Sequence, residues 1–135
     1  DAQASIKLSY VFDSLKRGIF QKNLSKFVKI KKILCSFKPL DDYKFKPFFI
    51  KIDTESSEHL VLEGLKKTLK KYKPVVMIEK NDINFFLIKK KLKKINYEIY
   101  SFRKEKLDKY YFKKKEHLNL ICIHKNERGL VKTFF

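Results

Sequence analysis

The sequence predicts a mixed α/β fold, and three neighbouring segments carry that prediction. An apolar run at Phe48–Asp53 indicates a strand, the amphipathic stretch after it indicates a helix, and a second apolar run at Pro74–Glu79 indicates another strand. A strand, a helix and a strand within about thirty residues form a βαβ unit. We therefore expect half of a doubly wound fold: a mixed sheet with a parallel centre, an antiparallel C-terminal hairpin, and helices on its faces.

Residue types within the βαβ unit match each element. The first strand is apolar apart from Lys51, which is typical of a strand buried on both faces. Ser56 or Ser57 is suited to cap the helix, because a serine hydroxyl can accept a hydrogen bond from an amide of the first turn. The apolar stripe of this helix consists of Val61, Leu62, Leu65, Leu69 and Tyr72. Pro74 then ends the helix.

The sequence before the unit predicts three further elements. A helix contains Leu8, Val11, Phe12 and Leu15 at helical spacing, and Gly18 ends it. The β-branched and apolar residues of Phe27–Phe37 indicate a strand. Residues 39–42 indicate a turn.

The sequence after the unit predicts a second helix and two strands. Asn81 or Asp82 caps the helix, whose apolar face consists of Phe85, Ile88, Leu92 and Ile95. Tyr97–Tyr100 and Leu118–His124 are predicted strands that pair as the antiparallel hairpin. The basic segment 101–116 between them is predicted to be irregular and partly helical, with Tyr110, Tyr111 and Phe112 packing onto the sheet or stacking on a ligand.

The strong positive charge has two interpretations. The net charge is +18, and only three of the 33 basic residues are arginine. Nucleic-acid readers usually rely on the bidentate arginine fork, so this composition argues against nucleic acid as a partner. Residues with A/T-rich codons are abundant, so a biased genome and a solvated lysine surface explain the charge. The other interpretation is an anionic partner.

Composition also bounds size and location. A chain of 135 residues is expected to form one domain, and no apolar run is long enough for a transmembrane segment. Cys35 and Cys122 each lie in an apolar run and are predicted to be reduced core thiols, which indicates a cytoplasmic location. His59, His117 and His124 lack metal-ligand spacing, so we expect structural roles for them and no metal.

Acidic residues follow both strands of the βαβ unit. Asp53, Glu55 and Glu58 follow the first strand, and Glu79 ends the second. Open α/β sheets bind ligands at the carboxyl ends of their parallel strands, so these four residues are the candidate site. Structural roles compete with that interpretation. Glu58 complements the helix dipole, Glu55 caps or forms an ion pair, and Glu79 closes a turn.

Five segments, in order, resemble the FkbM-type methyltransferase family. Phe49–Glu58 is similar to the family's apolar-Lys-Ile-Asp-Val-Glu-Gly-x-Glu pattern, and Val61–Gly64 to its Val-Leu-x-Gly step. Leu69–Glu79 resembles its proline followed by an apolar strand ending in glutamate. Leu40–Asp42 resembles its Leu-Asp-Asp step, and Asn96–Tyr100 its Gly-Tyr strand. The resemblance covers 39–124 and is poor over 1–38.

The resemblance implies a Rossmann-like fold and an O-methyltransferase that uses S-adenosylmethionine on a hydroxyl of a sugar, glycan or secondary metabolite. Asp53 and Glu55 would then be catalytic, and Glu58 and Glu79 would bind the acceptor. Ser56 stands where the family has glycine, and Asn96 replaces a second glycine. No segment resembles the family's Asp-x-Gly-x-x-x-Gly cofactor loop. We therefore expect residues 1–135 to be a single, incomplete methyltransferase-like domain, the C-terminal half of such an enzyme.

Two other functions stay open. A small lysine-rich module that binds nucleic acid or an anionic glycan would show steeply salt-dependent binding. An inactive methyltransferase remnant would fold without catalysing transfer. An active enzyme would need its N-terminal half upstream or on a partner chain.

Overall fold

The computed structural model describes residue 29 and residues 31–80, 84–103, 106–110 and 119–129. The strands are β1 (Phe49–Ile52), β2 (Val75–Glu79), β3 (Tyr97–Arg103), β4 (Lys106–Lys109) and β5 (Asn119–His124). The helices are α1 (Glu58–Gly64), α2 (Lys66–Tyr72) and α3 (Phe85–Lys94), and 3₁₀ turns cover Leu40–Asp42 and Lys125–Glu127. The predicted helix at residues 8–18 lies outside the described residues, as do Asn81, Asp82, Tyr111, Phe112 and His117.

The five described strands form one mixed sheet in the order β1-β2-β5-β3-β4. β1 and β2 are parallel, with Ile50 opposite Val76, and this confirms the βαβ unit. β5 is antiparallel to both β2 and β3, which confirms the predicted pairing of the last two apolar runs. The mixed α/β class is therefore confirmed, and the parallel pair stands at one edge of this sheet.

One core joins the helices to the sheet. Leu65, Leu69, Ile88 and Leu92 are fully buried, so the predicted apolar faces of both helical segments are confirmed. From the sheet they meet Ile52, Val76, Ile78, Leu120 and Cys122. Tyr110 packs at the margin of the core, with its ring 5.6 Å edge-on from Phe85 of α3.

The single helix predicted after β1 is wrong, because the chain forms two short helices that meet at Leu65. A Cβ on Gly64 would lie 3.2 Å from the Pro39 backbone, so the glycine allows the 3₁₀ turn to approach. Asp41 in that turn accepts hydrogen bonds from the amides of Lys67 and Thr68 at 2.7 and 2.8 Å. Burial alone would raise the pKa of Asp41, but these two amides outweigh it and lower the pKa. A side chain from outside the helix thus caps α2.

Five other expectations are corrected. The described residues 29 and 31–39 have no regular structure, so the strand predicted at Phe27–Phe37 is wrong there, and Cys35 is exposed rather than in the core. β1 is not buried on both faces, because it is an edge strand with Phe49 48% exposed. Segment 101–116 contains the end of β3 and all of β4 as an antiparallel hairpin instead of an irregular excursion. Ser57 occupies the N-cap position of α1, but its side chain makes no capping bond.

Candidate functional site

The parallel pairing of β1 and β2 brings Asp53 and Glu79 to the same edge of the sheet. Ile52 lies opposite Ile78, so the next residue on each strand, Asp53 and Glu79, stands at the same level. The Asp53 side chain is 42% exposed, and its carboxylate lies 3.0 Å from the Lys51 ammonium. Asp53 is therefore a solvent-accessible carboxylate at the carboxyl end of a parallel strand, where open α/β sheets bind ligands.

The loop between β1 and α1 has an uncommon backbone. Glu55 and Ser56 both have positive φ, at 49° and 78°. Side chains other than glycine, asparagine or aspartate seldom adopt this region, because Cβ approaches the carbonyl oxygen. Ser56 is also the position at which the resemblance places glycine. A serine thus occupies a backbone conformation that glycine adopts readily.

Glu58 holds this loop from inside the protein. Its side chain is completely buried, and one carboxylate oxygen accepts hydrogen bonds from the amides of Thr54 and Ser56 at 3.2 and 3.1 Å. The Thr54 hydroxyl lies 3.4 Å from the same oxygen. The other oxygen, Glu58 Oε2, is buried and has no hydrogen-bond partner among the described residues. Such a carboxylate organises the turn that presents Asp53 and Glu55.

Asn84 ties the start of α3 to the same loop. Its side-chain amide donates a hydrogen bond to the Ser56 carbonyl, and the contact is buried. Lys80, directly after β2, is 5% exposed, although it carries an ammonium group. Neither residue was predicted from the sequence. For Asn84 the available signal was an asparagine immediately before a helical stripe, but the predicted cap was Asn81 or Asp82, further upstream.

The four predicted site residues thus differ in accessibility. Asp53 is exposed, Glu55 and Glu79 are half-buried, and Glu58 is buried in the loop. An accessible carboxylate beside a lysine can accept a hydrogen bond from a hydroxyl and take part in removing its proton. Glu58 is instead placed to position its neighbours. The catalytic roles of Asp53 and Glu55, and the acceptor-binding roles of Glu58 and Glu79, stay predictions.

The described histidines have different surroundings. His124 is buried, and its Nδ1 accepts a hydrogen bond from the Asn126 amide at 3.2 Å. Burial lowers the pKa of His124, and nearby Lys73 lowers it further, so the neutral ring caps the following turn. His59 is half-buried in the first turn of α1. Within the described ranges, no three His, Cys, Asp or Glu side chains are grouped so that they could hold a metal ion.

The described glycines do not form a cofactor cradle. Gly64 lies at the end of α1 against Pro39, and Gly129 follows the last 3₁₀ turn. Neither follows a strand at the edge where β1 and β2 end. Neither described glycine is therefore placed like the glycine-rich turn that would hold a nucleoside cofactor. None of the described helices is both long and apolar enough to cross a bilayer.

Comparison with protein families identifies a matching domain family. The model described as "Methyltransferase FkbM domain" matches residues 16–117, which is about three quarters of the chain. The match includes the βαβ unit, and it begins upstream of residue 39. Neither the comparison with curated proteins nor that with solved structures finds a match. The segments quoted above, the parallel β1–β2 pair and this match agree that the protein belongs to the FkbM methyltransferase family.

Proposed function

We propose that this chain supplies the acceptor-binding part of an O-methyltransferase that uses S-adenosylmethionine. The acceptor is a hydroxyl of a sugar, glycan or secondary metabolite. The observation that carries the proposal is Asp53, an accessible carboxylate at the common edge of two parallel strands in a chain of this family. Asp53 hydrogen-bonds the hydroxyl and accepts its proton, and Glu55 completes the polar surface beside it.

The arrangement of the loop explains how the carboxylate is aimed. Glu58 binds the amides of Thr54 and Ser56, and Asn84 binds the carbonyl of Ser56. These bonds fix the backbone on the C-terminal side of Asp53 before any ligand arrives. Methyl transfer needs an in-line approach at near-contact distance, and a fixed loop lowers the entropic cost of that alignment. Glu58 therefore acts as a positioning residue, and Glu79 contacts the acceptor from the neighbouring strand.

S-adenosylmethionine supplies the methyl group, and its cradle belongs to another part of the enzyme. β1 pairs with β2 on one side only among the described strands, and Phe48 and Phe49 are 73% and 48% exposed. Apolar residues just upstream are exposed as well, with Ile33 at 68% and Phe37 at 74%. We propose that a cofactor-binding half, upstream or on a partner chain, adds a parallel strand at β1 and covers these side chains.

Cofactor titration tests the division into two halves. S-adenosylmethionine is titrated by calorimetry against this chain and against a version extended upstream in its gene. We expect binding to the extended chain and none to the present one. Failure of both to bind would exclude a cofactor-binding half encoded upstream. Binding without transfer to any hydroxyl acceptor would instead indicate an inactive remnant.

Substitution of Asp53 tests the catalytic edge in the extended chain. Asp53→Asn should lower kcat for methyl transfer by at least about a hundredfold, since it removes the proton acceptor. The affinity for S-adenosylmethionine should be unchanged. Asp42→Asn, at an exposed carboxylate outside the edge, is the matched control. Equal activity of the two variants would exclude Asp53 as the base.

A further inference from the structure

The outer sides of α2 and α3 both carry a dense positive charge. These two helices carry nine lysines and no acidic residue; we call this surface the lysine face. The lysines are Lys66, Lys67, Lys70, Lys71, Lys89, Lys90, Lys91, Lys93 and Lys94. Eight of them are exposed, and the ninth, Lys91, contacts Glu63 of α1. The charge on this surface is therefore largely uncompensated by the described residues.

The exposed side of α3 is not purely polar. Its buried side consists of Phe85, Ile88 and Leu92, yet Phe86 in the first turn is 74% exposed and Leu87 is 42% exposed. Phe86 is spaced three, four and seven residues from lysines on the same exposed side, Lys89, Lys90 and Lys93. The solvent-exposed side of α3 is therefore apolar in the first turn and basic along the rest of the helix.

A third exposed apolar side chain lies in the first turn of a neighbouring helix. Leu60, in the first turn of α1, is 52% exposed. α1 packs against α3, and the Asn84 bond to Ser56 joins the segments from which the two helices start. The exposed apolar residues therefore belong to helix starts at one edge of the fold, and the lysines extend from there along α2 and α3.

The residue types of the lysine face indicate what kind of partner it binds. Lysine is a compact point charge, whereas recognition of bases and single phosphates usually uses the planar guanidinium of arginine. Arg128, the one arginine whose side chain the structure describes, is held by Glu98 through two contacts of 2.7 Å. Lysines next to exposed phenylalanine and leucine are typical of helices that lie in the plane of a membrane surface. Clusters of four to eight lysines are attracted to anionic lipids.

We propose that the lysine face docks on an anionic phospholipid surface, with Phe86 and Leu87 entering the headgroup region. The lysines of α2 and α3 supply the attraction, and the two apolar side chains supply a contact that salt does not screen. Docking this way leaves the sheet intact, because Phe86, Leu87 and eight of the nine lysines are already exposed.

Vesicle flotation tests the proposal on the full chain. The vesicles contain either phosphatidylcholine alone or phosphatidylcholine with phosphatidylserine. We expect flotation only with phosphatidylserine, and weaker flotation as salt rises. Changing Lys89, Lys90, Lys93 and Lys94 to Gln should lower the apparent affinity at least about tenfold, because each lysine near an anionic surface contributes to binding. Phe86→Ser should weaken binding even at low salt.

A second quadruple variant controls for net charge. Lys31, Lys32, Lys44 and Lys46 are exposed lysines outside the lysine face, and their change to Gln removes the same charge. We expect this variant to float like the parent protein, and matching circular dichroism of all variants verifies folding. Equal losses in the two quadruple variants would overturn the proposal. So would displacement of the protein from vesicles by duplex RNA together with an inert Phe86→Ser, since that outcome identifies a nucleic-acid surface.

Discussion

Ser56 and Asn96 stand at the two positions where the FkbM pattern has glycine, and both have positive φ, at 78° and 60°. At both positions the backbone lies in the left-handed region that glycine adopts readily, although neither residue is glycine. Asparagine tolerates the left-handed region because its short amide bonds locally, whereas serine tolerates it less well. The same replacement of glycine thus carries a larger conformational cost at Ser56 than at Asn96.

A pair of substitutions measures that difference. Ser56→Gly should raise the free energy of unfolding by about 0.5–1 kcal/mol, because relief of the left-handed strain exceeds the added entropy of the unfolded chain. Asn96→Gly should change it by less. Urea denaturation of the two variants measures both values. A loss of stability in Ser56→Gly would mean that the buried serine side chain contributes more than its backbone costs.

Glu58 is the second residue whose role can be isolated. Glu58→Gln keeps the shape but weakens the charge-assisted bonds to the Thr54 and Ser56 amides, so we expect a loss of about 1–3 kcal/mol in stability. Glu63→Gln, five residues along the same helix and on its exposed side, should cost far less. Thermal denaturation of both variants gives the comparison. Equal effects would remove the argument that Glu58 organises the loop.

Among the elements, β1 and β2 were predictable because each is a short, nearly continuous apolar run, and α3 because its apolar residues recur at helical spacing. The break between α1 and α2 was not, since Leu62, Leu65 and Leu69 continue a helical stripe across it. The cause of the break is tertiary: the turn at Pro39 approaches Gly64, and Asp41 caps the second helix. Neither contact can be recognised from the spacing of apolar residues in the helical segment.

β4 was missed for a different reason. Its residues are polar or half-exposed, and its strand character comes from pairing with β3 rather than from burial. The strand expected at Phe27–Phe37 is the opposite case. β-branched residues favoured it, but Ile33 is 68% exposed and the described residues there have no paired neighbour strand. A high β-strand propensity did not produce a strand where no described neighbouring strand was available for pairing.

The C-terminal 3₁₀ turn is fastened to β3 by a charge cluster that predicts acid sensitivity. Arg128 lowers the pKa of the Glu98 carboxyl to about 2, and Lys109 and Tyr100 assist against the opposing effect of burial. Because the folded pKa lies below its ordinary value of 4.5, the stabilisation is complete above that pH and is lost as the pH falls towards 2.

Comparison with Arg128→Gln isolates this contribution. The variant should be less stable than the parent at neutral pH, and the difference should shrink between pH 4.5 and pH 2, where Glu98 becomes protonated in the parent. Melting temperatures of both proteins across that range provide the measurement. A difference that stayed constant with pH would assign the effect of Arg128 to packing alone.

At the scale of the whole molecule, Cys122 reports on the integrity of the sheet. It lies on β5, which pairs with β2 and β3, and burial raises the pKa of its thiol. Cys35 is exposed. A thiol reagent should therefore modify one cysteine quickly in the native protein and the second only as the sheet unfolds. The rate at the second site should follow the urea unfolding curve, and rapid native reaction of both thiols would contradict the described core.

The sequence allowed the candidate edge to be located, because acids directly after two apolar strands mark the carboxyl end of a parallel pair. It could not separate the roles of those acids. Asp53 and Glu58 are both carboxylates near the same turn, yet one faces solvent and the other is buried against backbone amides. That distinction depends on the path of the loop, which follows from two positive φ angles and a contact with Asn84.

The side of β1 on which no described strand pairs has a consequence for how the proposed enzyme can be assembled. The main-chain N–H and C=O groups along that strand can form β-sheet hydrogen bonds with any extended polypeptide, whether or not it is covalently linked to this chain. Two separately translated fragments would then reconstitute one catalyst by strand complementation, and its turnover would rise with the concentration of the scarcer fragment. Dilution would switch it off without any inhibitor.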